Sequence, residues 1–247
     1  FHKQLVLNRF MFRFFKDGTL QGLKLRLGED RFEGIHEDGQ SFFFHELSNY
    51  LFEVDLIDLD ELRRYDLNIV KHWQQITQHR NRKEDTVLNM KYFQYLSLLF
   101  TEIYLDWHFN RKQELLNGLN RELEAYNIEN SKTAKDRVNQ FRQYILDDLN
   151  KLAFWNATGS GKTLLLHVNI LQYLHYFQNG NTSHYPDKII LLTPDERLSQ
   201  QHMNELYDSG FSHIQLFDKS KPTPFRGTIE VIDINKLADE MGDKTVA

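Results

Sequence analysis

The residues best suited to chemistry are Asn156-Ala157-Thr158-Gly159-Ser160-Gly161-Lys162-Thr163. A polyphosphate needs many hydrogen-bond donors crowded around it. Gly159 and Gly161 let the backbone turn tightly, so that successive N–H groups face the phosphate oxygens. A helix that begins at Lys162 adds the positive end of its dipole. Lys162 is placed to reach the β- and γ-phosphates, and the Thr163 hydroxyl to ligate a magnesium ion. The strict phosphate-loop pattern asks for glycine five residues before the Gly-Lys pair, where this chain has Asn156. Asn156-Ala157-Thr158 also matches a glycosylation sequon, but no secretory signal accompanies it.

Such a loop must be held between a strand and a helix. The apolar run Leu152-Ala153-Phe154-Trp155 predicts the strand, and a helix over 134–150 is expected to lead into it. After the loop, Leu164, Leu165, Leu166, Val168, Ile170, Leu171 and Leu174 predict a helix from Lys162 to about Phe177, apolar nearly all round. Further strands are expected at 188–192, 214–216 and 229–232, with a helix over 196–207 between the first two. Strands alternating with helices imply a parallel sheet covered on both faces. The first 130 residues have another texture. Tyr92, Phe93, Leu96, Leu99, Phe100, Ile103, Tyr104 and Trp107 recur at helical spacing. A second helix is expected through Leu115, Leu119, Leu123 and Tyr126, and turns at Asp17-Gly18 and Asp38-Gly39. The polar stretch 127–134 suggests a boundary, giving a mainly helical domain over 1–130 and an α/β domain over 131–247.

The segment Ala157–Thr163 resembles motif I of superfamily 2 helicases. It is most similar to the version in the translocating subunits of type I and type III restriction enzymes, which commonly lack the first glycine as well. Arg137-Val138-Asn139-Gln140 resembles the Arg-x-x-Gln element of the helicase Q motif, whose glutamine reads the adenine edge because an amide both donates and accepts. Thr193-Pro194, with Leu198 and Gln201 following, resembles motif Ia, a strand-to-helix corner that grips a nucleic-acid backbone. The runs 91–96, 149–155 and 230–237 are similar to a bacterial group of restriction-type helicase proteins. The resemblance implies a RecA-like domain behind a helical N-terminal one. It also implies ATP and Mg2+ as ligands, double-stranded DNA as the track, nuclease or methyltransferase subunits as partners, and a cytoplasmic setting. Lys162 and Thr163 would be the catalytic pair and Thr163 the magnesium ligand. Arg137, Gln140 and 158–163 would bind the nucleotide, and Thr193, Pro194 and Gln201 the nucleic acid.

Composition narrows the classes further. Hydrophobic residues make up 40% and charged ones 26%, and cysteine is absent. Disulfide scaffolds, thiolate metal sites and cysteine nucleophiles are thereby excluded. The net charge of −5 calls for a local basic surface if nucleic acid is bound. The stretch 92–109 is interrupted by Gln94, Glu102 and Asp106, and so reads as a buried core helix with no membrane span. The acidic pair of motif II is missing: Asp60-Glu61, Asp195-Glu196 and Asp239-Glu240 do not end apolar strands. With no second RecA-like domain or arginine finger either, the chain is expected to be a piece of something longer, cut before motif II, and nearly inactive alone. No Glu-x-Lys or Gln-x-Lys occurs, so a PD-(D/E)xK nuclease is not expected here.

Weaker features have plainer readings. His72 and 79–83 form a basic cluster, expected to be a solvated loop. Asp55, Asp58, Asp60 and Glu61 read as a capped helix start, and His167 and His175 as interior or rim histidines. Two other functional classes stay open: a P-loop kinase or other phosphotransferase, and a nucleotide-inert module that docks a partner.

Overall fold

The computed structural model describes residues 5–16, 18–50, 56–131, 140–179, 186–218, 220–221 and 225–236. Arg137, Asp17 and Asp55 lie outside them. In chain order the elements are α1 (Val6–Phe12), α2 (Leu20–Leu27), α3 (Phe42–Ser48), α4 (Leu59–Glu84), α5 (Tyr92–Asn110), α6 (Lys112–Asn130), α7 (Lys162–Asn179), β1 (Lys188–Thr193), α8 (Glu196–Asp208), β2 (Ile214–Leu216) and β3 (Thr228–Asp233). Short 3-10 turns cover Asp30–Phe32 and Leu146–Asn150. The chain divides into two compact units: residues 1–71 with 89–165, and residues 72–88 with 166–247. The glycine-rich loop 156–161 belongs to the first unit and the strands to the second, a different partition from a single cut at 130.

In the first unit, α5 is buried on almost every side, as its apolar stripe predicts. Its acidic residues survive burial because each is paired. Asn68 Nδ2 donates to Glu102 Oε1 at 2.7 Å. Asp106 accepts from the Tyr65 hydroxyl at 2.5 Å, from Arg111 Nη2 at 2.8 Å and from Asn110 Nδ2 at 2.7 Å. These hydrogen bonds and the Arg111 charge hold the Asp106 carboxyl below its ordinary range against the opposing pull of burial. Trp107 takes the rings of Phe10 and Phe14 edge-on, at 5.6 and 5.7 Å. The approach of α1 to α6 depends on Gly118, where an added Cβ would stand 2.4 Å from the Phe10 ring. At the start of α4, Asp58 Oδ1 accepts the Glu61 N–H at 2.7 Å and Glu61 Oε2 accepts the Asp58 N–H at 3.1 Å, a reciprocal cap. Among the described residues, no helix is long and apolar enough to cross a membrane.

Two expectations fail in this unit. The described part of the predicted helix 134–150 is extended over 140–145, with only a 3-10 turn at its end. The cause is on α6. Asn120 Oδ1 accepts the Tyr144 N–H at 2.7 Å while its Nδ2 donates to the Tyr144 carbonyl at 3.0 Å. Asn127 holds Phe141 in the same two-handed way, at 3.2 and 2.9 Å. Seven helical residues rise about 10.5 Å, and three extended residues span about 10 Å. The two amides therefore match residues 141 and 144 of an extended chain and would miss a helical one. Arg142 then pairs with Asp148 at 2.8 Å, and Asp148 accepts the Ile145 N–H at 2.9 Å. The Arg142 contact, followed by that N–H, draws the Asp148 carboxyl down to about 2. The predicted strand 152–155 is likewise not formed. Phe154 is 46% and Trp155 83% exposed. An apolar run becomes a strand only when a neighbour completes its ladder, and no strand element forms among the described residues of the first unit.

In the second unit the three strands are parallel in the order β1-β3-β2. Thr193 stands opposite Asp233, and Leu216 opposite Val231. Every residue of the central strand β3 is buried. Met203 and Leu206 of α8 pack on Ile214, Ile229 and Val231 to form the core. Buried Glu230 is met from both flanks, by Lys188 Nζ and Gln215 Nε2, each at 3.0 Å. The expected cover on both faces holds for β3, whereas β1 exposes Ile190 and Leu192. The basic residues 79–83 lie on the last turns of α4 and not in a loop, and His72 is buried. His167 is buried as expected, its Nδ1 2.8 Å from the Ser209 hydroxyl. Loss of water pushes its pKa down to about 4, with the Arg80 charge adding to the effect.

Candidate nucleotide-binding site

The loop 156–161 carries the backbone geometry that phosphate binding requires. Gly159 and Gly161 both have φ of +78°, where L side chains are strained. The Ser160 N–H donates to the Ala157 carbonyl at 3.2 Å, which closes the turn. From Gly161 the chain enters α7 directly, with the Leu165 N–H on the Gly161 carbonyl at 3.1 Å. Lys162 is exposed and folds back, its Nζ donating to the Ala157 carbonyl at 3.1 Å. A lysine resting on a backbone carbonyl within its own loop can exchange that neutral acceptor for a charged phosphate, a stronger partner. The Ser160 hydroxyl is buried and makes no hydrogen bond among the described atoms. Thr163 stands on the first turn of α7, half-buried. The residue types fit a Mg-nucleotide: glycines, an ammonium, a helix start and the half-buried Thr163 follow one another on one turn, with the Ser160 hydroxyl buried beneath.

One participant had no signal in the sequence. Gln94 of α5 donates through Nε2 to the Ser160 carbonyl at 3.0 Å and accepts the Lys91 N–H on Oε1 at 2.9 Å. It therefore braces the loop from a position 66 residues away. A Cβ on Gly161 would lie 2.7 Å from Gln94 Nε2, so a side chain there would push this amide aside. In the sequence Gln94 shows only as a polar break in an apolar stripe. Beside the loop, Phe93, Phe100 and Tyr104 of α5 and the segment 152–156 line an apolar cavity of about 380 Å3. Gln140 is exposed on the extended segment that α6 holds.

The second predicted site is built differently. Thr193 is buried, and its hydroxyl is turned inward: it donates to the Ile232 carbonyl at 3.2 Å and lies 2.5 Å from the Ser199 hydroxyl. The first turn of α8 is capped by Asp195, whose Oδ1 accepts the Leu198 N–H at 2.8 Å. The expectation that Thr193 and this helix start offer donors to a phosphate thus meets a hydroxyl and an N–H already engaged. Asn235 Nδ2 donates to the Pro194 carbonyl at 3.3 Å, and Lys236 pairs with Glu196 at 3.0 Å. Gln201 is exposed, with its Nε2 on Glu205 Oε1 at 2.9 Å.

Comparison with known proteins gives one finding. Residues 120–241 match the family model described as type III restriction enzyme, res subunit. No curated protein and no solved structure matches. The matched segment, a little under half of the chain, holds both the loop and the strand-to-helix corner, and this part of the chain is similar to that family.

Proposed function

We propose that this chain binds Mg-ATP at residues 157–163 and supplies the nucleotide-binding part of a translocase that moves on double-stranded DNA in a restriction or anti-phage system. The carrying observation is the loop itself. Two glycines with φ of +78°, a lysine resting on the Ala157 carbonyl and an unpaired buried Ser160 hydroxyl form a turn whose groups gain partners when a phosphate arrives. Lys162 takes the β- and γ-phosphates, Thr163 the magnesium ion, and Gln140 with Arg137 the adenine edge, as the Q-motif resemblance implies. At the corner, Thr193 acts as a positioning residue, and contact with nucleic acid falls to Pro194, Gln201 and the backbone around them. Nuclease or methyltransferase subunits would act on the DNA that is moved.

Lacking a motif II carboxylate in its sequence, the chain is expected to bind ATP while hardly hydrolysing it. Calorimetry with Mg-ATP tests the reading. The unmodified chain should give a saturable heat, and Lys162→Ala should bind about 10- to 100-fold more weakly, the worth of one charge-assisted contact. Equal heats would remove the nucleotide site. DNA that tightens nucleotide binding favours the translocase over a small-molecule kinase.

A further inference from the structure

The loop before α3 gathers three metal-ligating side chains that the nucleotide site does not use. His36 Nδ1 lies 3.2 Å from Asp38 Oδ1, and His45 Nε2 lies 3.1 Å from Asp38 Oδ2. One ligand atom from each residue lies within 4.8 Å of the other two, the only such group among the described residues. The His36 and His45 rings approach with centroids 4.7 Å apart. The His45 Nε2 atom is shielded from solvent and has no well-aligned hydrogen bond to any described atom. Zinc-class bonds to imidazole and carboxylate are about 2.0–2.2 Å long, which sets neighbouring donors of a tetrahedron roughly 3.3–3.5 Å apart. Each imidazole stands close to that spacing from one carboxylate oxygen of Asp38, His36 from Oδ1 and His45 from Oδ2.

The frame is rigid enough to keep them there. Ile35 and Ser41 pair as an antiparallel bridge, and Gly39, at φ +84°, closes the turn through its N–H on the His36 carbonyl at 3.0 Å. Ser41 caps α3, accepting the Phe44 N–H at 3.0 Å. Buried Asp66 anchors Ser41, accepting its N–H at 2.9 Å and also its hydroxyl. Asp38 is fixed within the turn, its Oδ1 accepting the Gln40 N–H at 3.0 Å.

We propose that His36, Asp38 and His45 form a binding site for a divalent transition-metal cation of the zinc class. Imidazole with carboxylate is the donor set that suits zinc and its neighbours over magnesium or calcium. Three protein ligands leave a fourth position for water. A bound cation would tie the 35–41 turn to the first turn of α3 through coordinate bonds.

The test is a titration of the chelator-treated chain with ZnCl2, read by calorimetry, and with CoCl2, read by visible absorption. The chain holds 11 histidines, so a control is needed. His79 lies 3.5 Å from Asp208 Oδ1, a histidine–carboxylate pair without a third ligand. The expected result is one stoichiometric zinc site, weakened at least about tenfold in His36→Ala and in Asp38→Asn and unchanged in His79→Ala. Cobalt in the unmodified chain should give the intense visible bands of a four-coordinate ion, a readout that needs no variant. Absence of stoichiometric uptake, or uptake that survives Asp38→Asn in a chain with unchanged circular dichroism, would overturn the proposal.

Discussion

Two short turns in this molecule lead into helices, and they are finished in opposite ways. At 156–161 the turn is made by positive-φ glycines, its Ser160 hydroxyl is unpaired, and Gly161 has no side chain to cap α7. At 193–195 the turn is closed: Asp195 caps α8, Thr193 is spent on Ile232 and Ser199, and Asn235 holds the Pro194 carbonyl. On the proposed reading, the difference separates a turn that receives an anion from a structural one. The first rests its lysine on an exchangeable carbonyl, leaves the Ser160 hydroxyl unpaired, and is braced from behind by Gln94. A turn whose donors are satisfied internally gains stability from within, and can present only what lies on its outer surface.

The sharpest way to break this contrast is Gly161→Ala. The added methyl meets Gln94 Nε2 at 2.7 Å and sits at φ +78°. Left-handed strain of about 1–2 kcal/mol and a displaced brace of about 1 kcal/mol should together cut Mg-ATP affinity at least about tenfold. Gly159→Ala meets nothing within 4 Å and should incur the strain alone. Equal losses in the two variants would show that the brace does not matter.

The next effect belongs to α7, past the loop. His167 has its pKa lowered to about 4 from an ordinary 6.5. Above about 6.5 both folded and unfolded states hold it neutral. Between there and about 4 only the unfolded chain takes the proton, so stability falls as pH falls through that window. The loss should be on the order of 2–3 kcal/mol, seen in urea midpoints, and His167→Gln should flatten the slope.

Asp195→Ala probes the closed corner. Loss of the cap should cost about 1 kcal/mol of unfolding free energy while leaving Mg-ATP binding unchanged. A variant that binds ATP less well would couple the two turns and undo the contrast. The smallest effect is expected from Gln94→Ala. It removes the brace without touching the loop's own donors, and should weaken Mg-ATP a few-fold, about 0.5–1 kcal/mol.

Much of this was legible in the sequence, for a physical reason. Helices α5 to α8 and the three strands follow from local apolar periodicity, which the packing confirms within a few residues. The proposed chemistry of 156–163 could be read from the sequence because it depends on residues adjacent in the chain. Most of the failures involve distant partners. Residues 140–145 are extended because Asn120 and Asn127 on another helix grip them. The run 152–155 is apolar, but the described residues of its unit offer no strand to pair with it. Thr193 faces inward because residues 199 and 232 claim its hydroxyl. Gln94 could not be placed, because its partner Ser160 is fixed only by the fold.

The central claim is that residues 157–163 recognise the phosphate tail of a nucleotide. Competition of ATP, ADP and AMP against a fluorescent ATP analogue, with Mg2+ present, tests it most directly. Recognition through Lys162 and the loop amides predicts that ATP and ADP displace the analogue while AMP, lacking the β-phosphate, is at least about tenfold weaker. AMP competing as well as ATP, or an analogue that does not bind at all, would contradict the account.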